Sequence, residues 1–394
     1  AGVNGSGKHD NWSITTDTGM NLLDPGETPN ENIQFLLVLA CVIKAVDTHA
    51  DLLRRSASNV GNDLRLGASE APPAIVSVFL GTQLEDVVRQ LVETGEARSC
   101  LEGSTLHTGV STVPDLPMDA TDRNRTSPFA FTGNRFEFRA LGSSANCGSA
   151  MLALNSAVAY QLRQFKTDVD SLRAQGKSKE AAIFEVLKNY IKESKPIRFD
   201  GNGYSDAWKE EALRRGLDCE NSVPLQYDAY LKPDVIKMFG ETGVLSQKEL
   251  EARNEVKWEI YIKKVQIEAR VLGDLSLNHI IPVVIRYQTI LLENVTRLKD
   301  VFSEEEYETL SAEPRRLIRK ISAHIAAVTT KVDEMVEARK KANRITDMRE
   351  KAITYHDTVA PYLDEIRDHI DDLELMVDNQ SWPLPKYREL LFIR

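Results

Sequence analysis

Residues Asn134 to Arg139 read Asn-Arg-Phe-Glu-Phe-Arg. Side chains alternate across a strand, so Arg135, Glu137 and Arg139 fall on one face and Phe136 and Phe138 on the other. Asn124-Arg125-Thr126-Ser127-Pro128 lies just upstream and brings another arginine and turn-forming residues within reach of the charged face. Arginine offers a rigid fork of donors to carboxylate or phosphate, and a carboxylate among arginines is either their ion-pair partner or a metal ligand. Such clustering suits a site for anions and a divalent cation. Taken alone, the strand is more simply an ion-paired face, because structural ion pairs are common.

A second stretch changes the balance. Gly2 to His9 read Gly-Val-Asn-Gly-Ser-Gly-Lys-His, one residue short of the phosphate-loop pattern. His9 stands where a magnesium-binding hydroxyl belongs, and Asp10 to Thr15 has the composition of a strand, whereas a phosphate loop must open a helix. A glycine-rich turn leading into a strand, with an imidazole at its mouth, fits better as a backbone cradle beside a metal-binding histidine.

Four stretches, Asn4-Gly5-Ser6-Gly7-Lys8-His9, Arg65-Leu66-Gly67-Ala68-Ser69-Glu70-Ala71-Pro72, Asn124-Arg125 and Arg135-Phe136-Glu137-Phe138-Arg139, follow one another in an order that resembles the glutamine synthetases. The likeness is closest to the large type III bacterial form, through the run 124–139 and the ending Trp382-Pro383-Leu384-Pro385-Lys386-Tyr387-Arg388-Glu389-Leu390-Leu391-Phe392. The motifs are dense over about residues 1–148, and the helical remainder is similar in character to the type III C-terminal extension.

The resemblance implies ATP-dependent amidation of glutamate by ammonia through a γ-glutamyl phosphate, with Mg2+ or Mn2+. Phosphorylating a carboxylate brings two anions together, so metal ions and fixed arginines must offset the repulsion and stabilise the transferring phosphoryl group. By position, His9 and Glu137 match metal ligands. Arg125 and Arg139 match arginines near the phosphoryl group and the substrate, and Arg135, Arg125 and Ser13 match the nucleotide side. Arg65 matches the arginine that holds a glutamate carboxylate, with Asn4 and Gly5 as the other cradle. Glu70 matches the flap carboxylate that shields the intermediate and helps take a proton from ammonium. A flap is chemically reasonable because excluding water protects an acyl phosphate. Two positions depart from the commoner type I pattern: Ala130 replaces a phosphate-binding arginine, and Asn11 replaces a second histidine.

The chain opens at Ala1 directly on a core motif, while in the family other metal-binding carboxylates lie on upstream strands. The expectation is a fragment that binds magnesium poorly and catalyses nothing by itself. A noncatalytic regulatory or assembly relative, or a ligase acting on γ-glutamyl amines, is the alternative. Family members assemble as rings or stacked rings, so a homo-oligomer is expected.

The expected fold class is α+β: an antiparallel sheet with helices over residues 1–148, then a mainly helical extension over 149–394. Asn32 to Asp51 reads as a helix, Ala74 to Leu80 as a buried strand, and Ser58 to Pro73 between them as a closing loop. Ser246 with Glu249, and Ser303 with Glu306, are capping-box signatures. Ile318, Ile321, Ile325, Val328, Val332 and Met335 form one heptad seam and Leu363, Ile366, Ile370, Leu373 and Val377 another, which predicts an antiparallel helical hairpin over about 303–380.

The 49 basic residues against 59 acidic give a formal net charge of −10, which disfavours nonspecific binding to nucleic acid or anionic membrane and fits a cytoplasmic origin. Cys41, Cys100, Cys147 and Cys219 are too far apart for a zinc motif or a dense disulfide framework and are expected to be reduced and packed. The apolar run Phe35 to Ile43 is far shorter than the roughly 20 residues of a membrane span. His49 lies two residues from Asp47 and from Asp51, a spacing that does not share a helix face, and is expected to cap a helix end. His107, His279, His324, His356 and His369 have no ligand at useful spacing in the sequence, so a packing or surface role is expected for each.

Overall fold

Phenylalanines on the uncharged face of the predicted strand organise the N-terminal part of the computed structural model, which describes residues 7–66, 75–94, 105–106, 116–117, 124, 126–142 and 145–391. The chain runs through β1 (Gly7–Trp12), α1 (Ile33–Thr48), α2 (Ala50–Ala57), α3 (Asn62–Arg65), β2 (Val78–Phe79), α4 (Thr82–Thr94), β3 (Thr105–Leu106), β4 (Leu116–Pro117), β5 (Phe129–Phe131) and β6 (Phe136–Gly142). Then come α5 (Gly148–Ala174), α6 (Lys179–Glu193), α7 (Asp206–Arg214), α8 (Val223–Gln226), a 3-10 turn Tyr227–Leu231, α9 (Pro233–Thr242) and α10 (Gln247–Asp274). A π-helical turn, Leu275–Ile280, joins α10 to α11 (Ile281–Val301), which is followed by α12 (Glu304–Asn343) and α13 (Met348–Thr354). A second π-helical turn, Tyr355–Val359, leads to α14 (Pro361–Met376) and α15 (Tyr387–Leu390).

The main sheet has the order β1-β6-β5-β2. Strands β1 and β5 run antiparallel to β6, but β2 runs parallel to β5, so the sheet is mixed rather than antiparallel as expected. A parallel pair needs a crossover rather than a hairpin, and α4 lies in that connection. The strand expected from Ala74 is shorter than its apolar run: Ala74 falls outside the described residues, and only Val78–Phe79 joins the ladder. Its other side is taken by residues 197–199, where the Val78 N–H donates to Ile197 O at 2.9 Å and the Phe199 N–H donates to Val78 O at 3.0 Å. Strands β5 and β6 form a hairpin in which Phe131 opposes Phe136. Its turn uses Gly133 at φ 88°, a left-handed conformation that glycine adopts without a Cβ penalty.

Phe129, Phe131, Phe136 and Phe138 are all buried. Phe129 stacks on Phe136 with ring centroids 4.7 Å apart, and Phe131 meets Phe136 edge-on at 5.2 Å. Offset and edge-to-face rings of this kind add to the hydrophobic gain of burial. Helix α1 closes over the stack through Phe35, 5.9 Å from Phe131. Asn32 caps it, its Oδ1 accepting from the Phe35 N–H at 3.1 Å. α1 is apolar nearly all round because α5 and α6 pack against it. The helix expected over Asn32 to Asp51 breaks at His49, which ends α1 and starts α2.

Two buried arginines tie α2 to the later helices. Arg54 is 2% exposed and pairs with the Asp218 carboxylate, also donating to Asp218 O at 3.0 Å. Burial pushes the Asp218 carboxyl up, but Arg54 and the hydrogen bond from the Glu220 N–H outweigh it and hold the group below the usual range. Arg55 lies over the Tyr230 ring at 3.3 Å and donates to Asn254 Oδ1 at 3.2 Å.

The chain divides into two compact units, Ala1–Asn254 and Glu255–Arg394. From α5 onward the named elements are all helical, and α5, α6 and α9 lie in the same unit as the sheet, so the packing division falls inside α10. In the second unit α12 packs against α11 and α14. Ile321, Val328, Val332 and Met335 of α12 and Ile366, Ile370, Leu373 and Val377 are buried there, while Ile318, Ile325 and Leu363 are half-buried. Lys331 pairs with Glu365. The Ser303 capping box forms, with Glu306 accepting from the Ser303 N–H at 3.1 Å, whereas at Ser246 only the return half is made: Glu249 accepts from the Ser246 N–H at 2.8 Å and from its hydroxyl at 2.8 Å.

Cys41 is buried, Cys219 is partly exposed, and Cys147 is exposed rather than packed as expected; Cys100 lies outside the described residues. The helical stretch Gln247–Val301 is long and apolar enough to cross a membrane by length and composition, and 28% of that window is buried within the protein.

Two outcomes follow for stability. Asp218→Asn should lower unfolding free energy by about 3 kcal/mol in denaturant titrations, because it leaves the buried Arg54 charge without its carboxylate. The Asp218 contribution is present above the unfolded carboxyl value of 3.8 and should fade as pH falls through the lower folded value. His49 is buried, and desolvation lowers its pKa from 6.5 despite the nearby Asp234 and Asp51 carboxylates. Between pH 6.5 and that lower value the unfolded chain holds more protons, so stability should decline with acid there. His49→Gln should flatten this part of a melting-temperature profile against pH.

Candidate functional site

The charged face forms where β1 and β6 pair. Asp10 opposes Phe138 and Trp12 opposes Phe136, so Asp10 and Trp12 turn toward the aromatic side and His9 and Asn11 toward the side of Glu137. Trp12 is buried and donates from Nε1 to Asn155 Oδ1 at 2.8 Å, which locks the strand onto α5. Burial pushes the Asp10 carboxyl up, with Lys8 acting in the other direction. The ladder shifts register between Lys8 and Asp10, where His9 alone faces two residues of β6, Arg139 and Ala140. Such bulges re-aim a side chain.

His9 Nδ1 lies 3.4 Å from Glu137 Oε2. The same oxygen accepts from Arg139 Nε at 3.1 Å and from its terminal nitrogen at 2.9 Å, a forked hold on one carboxylate. The other guanidinium nitrogen of Arg139 donates to the backbone carbonyls of Asn124 and, at 3.4 Å, Ser127. Arg139 is 5% exposed and Glu137 13%, whereas His9 is 56% exposed in its side chain. The pair His9 and Glu137 therefore opens outward while the arginine lies beneath.

Asn124 continues the chain of contacts. Its side chain donates to Asp200 O at 3.1 Å and Gly201 O at 2.8 Å, and its Oδ1 accepts from the Thr126 N–H at 2.9 Å. Thr126 Oγ1 then accepts from the Gly203 N–H at 2.9 Å. Residues 200–203 were not singled out in the sequence, and no local motif marks them.

Ser13, at the far end of this face, is exposed and donates to Asn21 Oδ1 at 2.5 Å and Asn134 O at 3.3 Å. Asn21 also donates to Asn134 O at 2.8 Å, fixing the turn that carries the exposed Arg135. Ser13 and Arg135 thus share the β5–β6 turn region, separate from the Glu137 carboxylate's own contacts. Arg65 closes α3, and its side chain lies outside the described residues, as do Asn4, Gly5, Glu70 and Arg125. Asn62, Asp63 and Leu66 around it line a cavity of about 530 Å3 with Lys209, Cys219 and Asn221.

The register places the two departures noted in the sequence beside one carboxylate. Asn11 on β1 and Ala130 on β5 both oppose Glu137, one from each side. Ala130 is 1% exposed, so the side of Glu137 where an arginine would stand is closed by a methyl group. Chemically the face offers one imidazole, one carboxylate and a buried guanidinium. Among the described residues no group of three or more His, Cys, Asp or Glu side chains is arranged to hold a metal ion. A magnesium ion demands near-octahedral, oxygen-rich coordination, so His9 and Glu137 can supply only part of it.

Comparison with known proteins follows the same lines. Residues 182–299 match the glutamine synthetase C-terminal domain family. The chain is 52% identical over 397 residues to a glutamine synthetase of Bacteroides fragilis (strain YCH46), covering 100% of this chain and 54% of that protein. It is 40% identical over 403 residues to the type-3 glutamine synthetase of Dictyostelium discoideum, covering 100% of this chain and 53% of that one. With a glutamine synthetase of Butyrivibrio fibrisolvens it shares 36% over 396 residues, covering 99% and 55%. The chain spans about half the length of these curated relatives. The family match begins in α6, beyond β1 and β6, whereas the likeness to whole relatives includes those strands. By the order of its motifs, the match over 182–299 and the likeness along its whole length, this polypeptide is similar to glutamine synthetases over about half of their length.

Proposed function

We propose that this chain supplies the β1/β6 wall of a glutamate–ammonia ligase active site, with ATP as co-substrate and Mg2+ or Mn2+ as the cation. The observation that carries the reading is the convergence of His9 and Arg139 on one oxygen of the strand-borne Glu137 carboxylate. The γ-carboxylate of glutamate attacks the γ-phosphorus of ATP and releases ADP. Ammonia then adds to the acyl carbon, phosphate leaves, and the ammonium-derived proton is lost.

A bound divalent ion would offset the negative charge of the phosphates and carboxylate as they meet. His9 and Glu137 are the residues that would contribute to holding it, and further oxygen donors are required from elsewhere in the assembled site. Arg139 already grips Glu137 Oε2, which orients the carboxylate and keeps a positive charge beneath the position where phosphoryl charge develops. Arg125 is assigned to the phosphoryl group beside it, Arg135 and Ser13 to the nucleotide, and Arg65 with Asn4 and Gly5 to the glutamate carboxylate. Glu70 is assigned to the flap that excludes water and accepts a proton from ammonium. With Asn11 and Ala130 flanking Glu137, nucleotide contacts at this point differ from those of the type I pattern.

The protein is proposed to work in the cytoplasm as a ring-forming homo-oligomer. Val256, Ile260, Ile267 and Val271 leave an exposed apolar stripe on α10, which supports a subunit contact there. The α12 and α14 pair, read as an antiparallel hairpin, is assigned to shaping the assembly.

Full-length protein should form γ-glutamyl hydroxamate from glutamate and hydroxylamine only when ATP and magnesium are present. Normal binding of magnesium–ATP without any turnover of glutamate would leave a noncatalytic relative as the answer. Glu137→Ala should abolish magnesium-dependent ATP binding in calorimetry, and wild-type binding by that variant would remove Glu137 from the cation site. Arg139→Lys keeps the charge and loses the planar fork, so kcat should fall by about 10²-fold, with a smaller change in KM for glutamate.

A further inference from the structure

The sequence puts His324 and His369 forty-five positions apart, and packing of α12 on α14 brings their Nδ1 atoms within 3.2 Å. The ring centroids are 5.3 Å apart and the planes are inclined by 65°. Both side chains are partly exposed, at the edge of the apolar seam containing Ile321, Ile366 and Ile370. Sequence spacing gave neither histidine a partner, and it is the packing of the two helices that places each beside the other. We propose that His324 and His369 form a two-imidazole site for a divalent transition-metal ion of the zinc, nickel or copper class, clasping α12 to α14.

The argument is geometric. Two nitrogens that face each other at this distance either share one proton or direct both lone pairs at one ion. With metal–nitrogen bonds of about 2.0–2.1 Å, donors 3.2 Å apart subtend roughly 100° at the metal, close to a tetrahedral angle. The Asp372 carboxylate lies 3.9 Å from Nε2 of His324 and favours a proton on that nitrogen. That tautomer leaves the lone pair on Nδ1, facing His369. A carboxylate beside the outer nitrogen of a ligating histidine orients the ring and raises its basicity. Imidazole suits zinc, nickel and copper far better than magnesium, so the ion would differ from the one assigned to His9 and Glu137. Two protein donors leave the remaining positions to water, so the ion exchanges readily, unlike a closed four-ligand site. The proposal does not depend on the ligase reading.

The test uses the full chain in excess magnesium. Zinc chloride titrated calorimetrically should bind at this site, and His324→Gln or His369→Gln should weaken it at least about 10-fold, with a smaller loss for Asp372→Asn. His279→Gln should leave it unchanged. Copper(II) added at one equivalent should give an electron paramagnetic resonance spectrum split by two imidazole nitrogens, lost in either single variant. If the variants fold poorly, diethyl pyrocarbonate labelling of the wild type decides: zinc should protect both His324 and His369. Equal zinc affinity in wild type and both glutamine variants, or labelling of the pair that zinc does not alter, would overturn the proposal.

Discussion

Arg139 is the interaction on which the charged face depends. Its guanidinium is almost wholly buried, and its hydrogen bonds divide between the Glu137 carboxylate on its own strand and the Asn124 and Ser127 carbonyls upstream. A carboxylate with so little exposure would otherwise lose the solvation its charge requires. With the arginine below it, Glu137 stays oriented toward His9 instead of collapsing onto the aromatic side. Through Asn124 the same arginine is coupled to residues 200–203, so a segment far away in sequence helps hold the floor of the site.

The alternation over residues 134–139 was legible because a half-buried strand writes its two faces into every second residue. Phe136 and Phe138 did go inside, and Glu137 and Arg139 did share the other face. What no pattern announced was which strands would flank β6. Register between distant strands is a tertiary property, and only from it does it emerge that Asn11 and Ala130 oppose the same carboxylate. The direction of β2 was hidden for a related reason. A two-residue strand carries too little periodicity to reveal whether its neighbour is reached by a hairpin or a crossover. His49 was read as a helix end and is one, but the continuation into α2 depends on burying Arg54 and Arg55 against groups contributed by residues beyond 200.

Helical periodicity was the more reliable guide in the second unit, where a heptad seam fixes the inward face without reference to any partner's identity. It was silent about the seam's margin. His324 and His369 lie on their helices three residues after Ile321 and one residue before Ile370, and their meeting depends on the axial offset between α12 and α14. That offset comes from packing of the seam, with Lys331 and Glu365 joined further along.

The π-helical turn at Leu275–Ile280 is a device of length rather than of chemistry. Leu272, Ser276, Ile280, Val284 and Gln288 follow one another at intervals of four, and in an ordinary helix such steps would drift steadily around the axis. A wider turn absorbs part of that drift, so the face of α10 that packs inward is continued by α11, whose Gln288 reaches Ile318 O and Ser322 on α12. Deleting a single residue there would change the phase between α10 and α11, by up to about 100° of rotation, so the inward face of one would no longer run on into the other. The segment can therefore exchange one amino acid for another more easily than it can tolerate a codon gained or lost.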